Sequence, residues 1–382
     1  MKKTLICTLL CLLAGAAKAG GIEPAVAPVP ACAPARCEAD TARVRNLIYL
    51  IGDGMGLAQV SMLQIENDYA PTAFDRAQGV ALLVTRSANN RVTDSAAAVT
   101  ALAAGHKTNN GTIGLDIEGR SLKSMMAMAE EKRMPTGIVV SCYLQHATPA
   151  GFYAHVVSRN DNRSITRDLL ASDVDVLLGG GRKWLAEECS EGGTYLDAFR
   201  RRGYFVTESM DTADTVRSGR LLGVFAEEHL PAAAERGDYL PRAAHRALEI
   251  LASDAQQRGT GFMLMIEGSQ IDFAGHADDA AWMLDELRDF DRTVSEAMDF
   301  ADRTPGTLVV VVADHETGGL SIPSEKADFT RSESGLHYAF STGGHTATMI
   351  PVYLYGTGAS RIAGVMDNTC LSRRIMQLLD LK

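Results

Sequence analysis

Residues 47–56 read LIYLIGDGMG, five apolar residues followed by an aspartate set between glycines. An unbroken apolar run of this length reads as a strand buried on both faces, and the glycines end it. Asp53 then stands just beyond the strand's C-terminal end. The pattern recurs along the chain. Apolar runs at 136–141, 174–178, 262–266, 308–313 and 351–355 read as further strands. Amphipathic segments between them read as helices over 95–104, 122–132, 165–171, 195–202, 241–252, 278–302 and 370–379. This alternation predicts an α/β fold: a three-layer sandwich with a largely parallel central sheet and helices on both faces. No repeat or internal linker interrupts it, so residues 43–382 read as a single domain.

Open sheets of this kind bind ligands in the crevice outside the C-terminal ends of their strands. Glu267 and Asp272 follow the run 262–266, and Asp314 and His315 follow 308–313. Residues far apart in sequence therefore have a place to meet.

Composition narrows the function. The chain has 382 residues, 46% of them hydrophobic and 22% charged, which is ordinary globular material. Lys2 and Lys3 precede an apolar stretch at 4–17 that is too short for a membrane anchor, and Ala17-Lys18-Ala19 supplies a small-x-small cleavage pattern. Residues 1–19 read as a signal peptide, and the Pro/Ala-rich 20–42 as a flexible leader. The expected product is exported, periplasmic or secreted, with no stable membrane span. Loss of Lys2, Lys3 and Lys18 would make the formal charge of −10 three units more negative. Such acidity argues against a nucleic-acid-binding surface, although bound cations can reverse the field locally for an anionic substrate. Five cysteines remain after cleavage, in a compartment that permits disulfides. Cys32 and Cys37 could close a small loop, and Cys142, after an apolar run, reads as a buried free thiol.

The candidate site residues are individually ambiguous. Gly52-Asp53-Gly54-Met55-Gly56 lacks the spacing of a dinucleotide fingerprint, because Gln59 stands where the last glycine should be. An aspartate between glycines suits a metal carboxylate, though a turn aspartate is the ordinary reading. Ser95, in Thr93-Asp94-Ser95, begins an alanine-rich helix. It reads either as an N-cap or as a nucleophile using the helix's positive end. Asp272 and His276 are four apart, one helical turn, and can aim at one cation. Asp314-His315 and Gly343-Gly344-His345 add two more imidazoles at strand ends or flexible backbone. With Thr148 in HATPAG, Arg159 in SRND and Glu267, these residues supply ligands for three divalent cations, a hydroxyl nucleophile and a guanidinium. That set fits metal-assisted phosphoryl transfer through a serine.

From about residue 46 to the C-terminus the chain resembles the alkaline phosphatases, most specifically in TDSAAAVTALAAGHKTNNGTIG and ADHETGG. The resemblance implies hydrolysis of phosphate monoesters through a phosphoserine at a site with two Zn²⁺ and one Mg²⁺. It implies that Asp272, His276 and His345 hold the first zinc. Asp53, Asp314, His315 and the Ser95 oxygen would hold the second, and Asp53, Thr148 and Glu267 the magnesium. Arg159 matches the guanidinium that clamps two phosphate oxygens. His146 stands where members carry Asp or His, and Phe273 where relatives carry Lys, His or Trp, so both belong to the substrate-binding set. Phe273 cannot donate a hydrogen bond to phosphate. Homodimers are common in that family, but no feature of this sequence establishes one. The alternatives are a phosphodiesterase or other phosphotransfer member of the superfamily, a non-catalytic exported zinc-binding protein, and a nucleotide-binding module built on residues 52–56. Ser95 followed by three alanines does not fit a sulfatase, and Thr148 with Glu267 keeps a third metal set that diesterases usually lack.

Overall fold

A computed structural model describes residues 42–325 and 335–381. The expected signal peptide, leader and Cys32–Cys37 loop fall outside them. Among the described residues there are twelve strands: β1 Asn46–Gly52, β2 Gly79–Val84, β3 Thr136–Tyr143, β4 Val176–Gly180, β5 Phe205–Thr207, β6 Leu221–Val224, β7 Met263–Gly268, β8 Thr307–Val312, β9 Glu316–Thr317, β10 His345–Thr346, β11 Ile350–Gly356 and β12 Gly364–Asp367. Ten of them form one sheet in the order β12-β2-β11-β8-β1-β7-β3-β4-β6-β5. All neighbours pair in parallel except where β11 meets β8 and β2. The remaining two, β9 and β10, form a small antiparallel ribbon.

Every residue of β1, β7 and β8 is buried, as an unbroken apolar run in a parallel sheet requires. Leu47, Ile48, Leu50 and Ile51 are each fully buried, which contributes about 1.5–3 kcal/mol per side chain. The long helices Tyr239–Arg258 and Ala280–Arg303 pack on each other and against β7. The helix Ser95–Ala104 packs against Asn368–Leu378. All ten of its residues are buried, and its alanines permit the close approach.

Several boundaries differ from expectation, and side-chain caps explain most of them. Ser124 accepts from Ala127 N, so its helix begins at Met125 rather than 122. Asp161 and Asp367 cap helices at Asn162 and Asn368, earlier than the apolar pattern begins. The expected helix over 278–302 forms as one helix, Ala280–Arg303, and a separate short helix precedes it. Gln270–His276 comes first, and Asp278 then takes the left-handed conformation with φ 53°. Asp279 caps the second, its Oδ1 accepting from Ala281 N and Trp282 N at 3.0 Å. Glu267 lies inside β7 rather than after it. The sequence pattern missed β2, β5, β6, β12 and the helix Leu57–Glu66. The strands among them are short or half exposed, so their apolar runs are brief or broken. Cys142 and Cys189 are buried free thiols, while Cys370 is disulfide-bonded. Among the described residues no helix is long and apolar enough to cross a membrane.

Candidate active site at the strand C-termini

The strands β8, β1, β7 and β3 are neighbours at the centre of the sheet, and their C-terminal ends deliver most of the site. Asp314 and His315 follow β8, Asp53 follows β1, Glu267 ends β7 and His146 to Thr148 follow β3. Asp272 and His276 lie one turn apart on Gln270–His276, with His276 Nε2 3.3 Å from Asp272 Oδ2. The loop after β1 must pass close to this helix. Gly54 has φ 73°, and a Cβ there would stand 2.8 Å from Thr317 Oγ1 and 2.9 Å from Asp272 Cα.

Ser95 is the first residue of its helix and not the N-cap. Asp94 takes that role, its Oδ1 accepting from Ala97 N at 3.0 Å. The capping alternative for Ser95 is thereby removed. Its hydroxyl is buried and lies 3.2 Å from His315 Nε2. Asp94 has a second task, because its Oδ2 accepts from Gly111 N at 2.9 Å and from Arg159 Nη1 at 3.2 Å. One aspartate thus orients both the serine's helix and the guanidinium. Arg159 Nη2 also faces His146 Nε2 at 3.4 Å.

The three histidines share one arrangement. His276 Nδ1 meets Gly343 O and His345 Nδ1 meets Thr93 O, each at 2.8 Å. A carbonyl can only accept, so both Nδ1 atoms carry the proton. Thr317 Oγ1 donates to Asp272 Oδ1 at 2.5 Å and is left to accept from His315 Nδ1 at 3.2 Å. In all three rings it is therefore Nε2 that points into the site, as in metal-binding imidazoles with a second hydrogen bond. His345 Nε2 lies 3.2 Å from His276 Nε2 and 3.6 Å from Asp272 Oδ1. His315 Nε2 lies 3.1 Å from Asp314 Oδ2 and 3.5 Å from Asp53 Oδ1. Ring nitrogens that face one another and face carboxylates need a proton or a metal cation between them.

The acids make the same demand. Asp53, Glu267, Asp272 and Asp314 are all at least 96% buried by exposed area, at 0, 0, 4 and 0% exposure. Burial and the charges of Asp314, Asp272 and Glu267 push the Asp53 carboxyl well above its ordinary value. Burial pushes Glu267 up to about 7. Burial also opposes ionisation of Asp272, but the bond from His276 and the nearby histidines hold it below the carboxylate range. That bond to Asp272 raises His276 to about 9. Within the described structure Asp53 Oδ1, Glu267 Oε1 and Asp314 Oδ2 are buried with no hydrogen-bond partner. Orphaned buried oxygens beside imidazole nitrogens form a donor set that fits divalent cations. Three groups have the necessary spacing: Asp272, His276 and His345; Asp53, Asp272 and His315; and Cys142, His146 and Glu267.

The structure brings every candidate residue to this one region. Thr148 Oγ1 lies 3.5 Å from Asp53 Oδ2, beside Glu267. Phe273 is half-buried, with its ring edge-on to His146 at 5.9 Å and to His229 at 4.7 Å. Asp94, Thr317, Cys142 and His229 were missed by sequence reasoning. The Asp94 cap signal was legible beside Ser95, whereas nothing in the local pattern of His229 or Cys142 marks it. Cys142 Sγ lies 3.2 Å from Glu267 Oε2, a contact made across neighbouring strands.

The model of the family Alkaline phosphatase matches residues 44–337. The chain belongs to the alkaline phosphatase family. It is accordingly a phosphoric monoester hydrolase. Alkaline phosphatase 3 of Bacillus subtilis is 30% identical over 460 residues, which cover 99% of this chain and 97% of that protein. The structure of alkaline phosphatase from the Antarctic bacterium TAB5 superposes with a TM-score of 0.83 at 32% identity. That match covers 89% of this chain and 99% of the other. A variant of the TAB5 enzyme with magnesium bound in its M3 site matches at 31% identity and a TM-score of 0.81, covering 90% and 100% of the two chains. The largely parallel sheet of this alkaline phosphatase homologue thus has solved counterparts.

Proposed function

We propose that this phosphatase transfers the phosphoryl group of a monoester first to Ser95 and then to water, using two zinc ions and one magnesium ion. Asp272, His276 and His345 would hold one zinc, and Asp53, Asp314, His315 and Ser95 Oγ the other. Asp53, Thr148 and Glu267 would hold the magnesium, in keeping with the magnesium recorded at the M3 site of the TAB5 variant. When bound, such cations act as Lewis acids that stabilise charge on the entering and leaving oxygens and lower the pKa of hydroxyl and water.

The protein's own groups supply placement. Ser95 Oγ attacks phosphorus in line with the leaving oxygen, the P–O bond to that oxygen breaks, and the proton given up by Ser95 leaves on the departing alcohol. The buried helix holds the serine against His315, so little freedom is lost on reaching the reactive geometry. Arg159, oriented by Asp94, offers two N–H groups in a fork to the non-bridging oxygens. The alcohol departs from the face opposite Ser95. Water entering on that face then takes the phosphoryl group and returns the proton to Ser95. Both attacks need a deprotonated oxygen, which favours alkaline pH. The charged residues at 2–3 and the apolar stretch after them support export of the enzyme.

The observation that carries this reading is the buried Ser95 hydroxyl among imidazole and carboxylate groups that lack a counter-ion. Ser95→Ala tests it. Turnover should fall by at least about 10³-fold and acid-trapped phosphoserine should vanish, while bound zinc is retained. A variant that still labels with phosphate would sink the proposal.

A further inference from the structure

His345 reaches the site on β10, a two-residue strand too short to fix its own place. The ribbon β9–β10 sets Thr346 opposite Glu316. Glu316, 3% exposed, follows His315 directly and accepts four hydrogen bonds. Its Oε1 takes Gln59 Nε2 at 2.8 Å and Leu320 N at 3.1 Å. Its Oε2 takes Gly319 N at 3.2 Å and the Thr346 hydroxyl. Gln59 Nε2 also donates to Thr317 O at 2.9 Å. Gln59 lies on the helix that begins just beyond the Asp53 loop. A Cβ at Gly56 would stand 2.4 Å from Glu316 Cγ, so the glycine leaves room for this side chain to seat.

The carboxylate therefore joins three segments, and each segment carries a candidate ligand: Asp53 before Gln59, Asp314 and His315 before Glu316, and His345 before Thr346. A buried carboxylate that merely satisfied its own turn would need only Gly319 N and Leu320 N. The bonds to Gln59 and Thr346 reach outside that turn and end beside two other ligand segments. We propose that Glu316 is a positioning residue: with Gln59 and Thr346 it sets the place of His345 relative to Asp272 and His276, and so the affinity of that site for a divalent cation. This rests on the metal reading given above. The Thr346 bond is the specific link, since it ties the residue after His345 to the residue after His315.

Zinc affinity of the full chain, measured by competition with a chromophoric chelator, tests the idea on wild type, E316Q, T346V and T346S. Cobalt absorption spectra of the same proteins report the geometry of the site. T346V keeps the shape of the side chain but cannot donate, so one zinc per chain should bind about 10–100-fold more weakly. The second zinc should stay within a few-fold of wild type, the cobalt spectrum should change, and kcat/KM should recover at saturating zinc. T346S, which keeps the hydroxyl, should behave as wild type. E316Q should follow T346V, and if it does not fold, T346V carries the test alone. A folded T346V that holds both zinc ions as tightly as wild type overturns the proposal. So does equal loss of Tm with and without metal at unchanged affinity, which is the mark of a purely structural contact. If wild type itself takes up no zinc, the metal reading fails instead.

Discussion

Two of the buried carboxylate clusters in this phosphatase are neutralised in opposite ways. On the helix Ala280–Arg303, Glu286 and Asp289 have no exposed side-chain surface and face Arg236, whose side chain is 2% exposed. The guanidinium reaches both oxygens of Glu286 at 3.0 and 2.6 Å and Asp289 at 2.7 Å. Glu286 also accepts from Ala233 N and Trp282 Nε1. That cluster brings its own cation. At the strand C-termini, Asp53, Glu267 and Asp314 are as deeply buried, yet each keeps an oxygen without a hydrogen-bond partner in the described structure. Arg159 is nearby, but it pairs with Asp94. The first arrangement secures packing between helices. The second leaves donors free for exchangeable ions, the form that catalysis can use.

Metal removal should break the symmetry most sharply. Exhaustive chelation is expected to lower activity at least about 10³-fold, because both oxygen nucleophiles lose their activating charge. Zinc and magnesium added back should restore it. The Arg236 cluster needs no such ion and should be untouched, so far-UV circular dichroism of the stripped protein should still report the folded helices.

Breaking the self-contained cluster is the next largest effect. Arg236→Met leaves the buried Glu286 without a charged partner and Asp289 with Arg292 alone, and should cost about 3–5 kcal/mol in denaturant unfolding. Zinc affinity should not change. Loss of zinc without loss of stability would reverse the assignment of the two regions.

The pH dependence of the stripped protein separates them further. Glu267 in the folded state is raised to about 7 from an ordinary 4.5, so the folded form binds the proton more tightly. Its contribution is fully present below pH 4.5 and is lost as pH rises through 7, by roughly 3 kcal/mol. Asp53 is raised as well and acts in the same sense. Metal-free protein should therefore lose stability over that window, and the loaded protein should not. Equal slopes in urea titrations of the two forms would contradict a cation-demanding site.

The smallest predicted effect concerns Phe273, on the rim beside Asp272. Its ring packs against His146 and His229 and offers no hydrogen bond. Phe273→Lys should lower the inhibition constant of phosphate about tenfold, the scale of one charge-assisted bond of roughly 1.4 kcal/mol. Identical constants in the two proteins would show that this position does not touch product.

Most of the central sheet was legible because buried parallel strands carry apolar runs, and β1, β3, β7 and β8 each contain one. The edge was harder. In β2 exposed and buried residues alternate, and β5 has only three residues, so neither shows a long apolar run. Helix ends were misread where a polar cap lay outside the apolar pattern, as at Asp279 and Asp161. Among site residues, those flanked by glycines or strand ends stood out. Asp94 was read only as a neighbour of Ser95, because its bond to Arg159 spans 65 positions in the chain.

The sequence by itself determined the fold class and the set of chemical groups, because burial periodicity and residue type are local properties. It also carried the family, through continuous motifs such as the one around Ser95. The tertiary structure alone decided which groups meet and in what state. Only the folded chain lays Thr317 against both Asp272 and His315, and so turns His315 Nε2 inward. Only it shows that Arg236 is supplied to one acid cluster while the other is left without a cation. Distances of 3 Å between residues more than 200 positions apart depend on the packing of the whole sheet, and no local pattern records them.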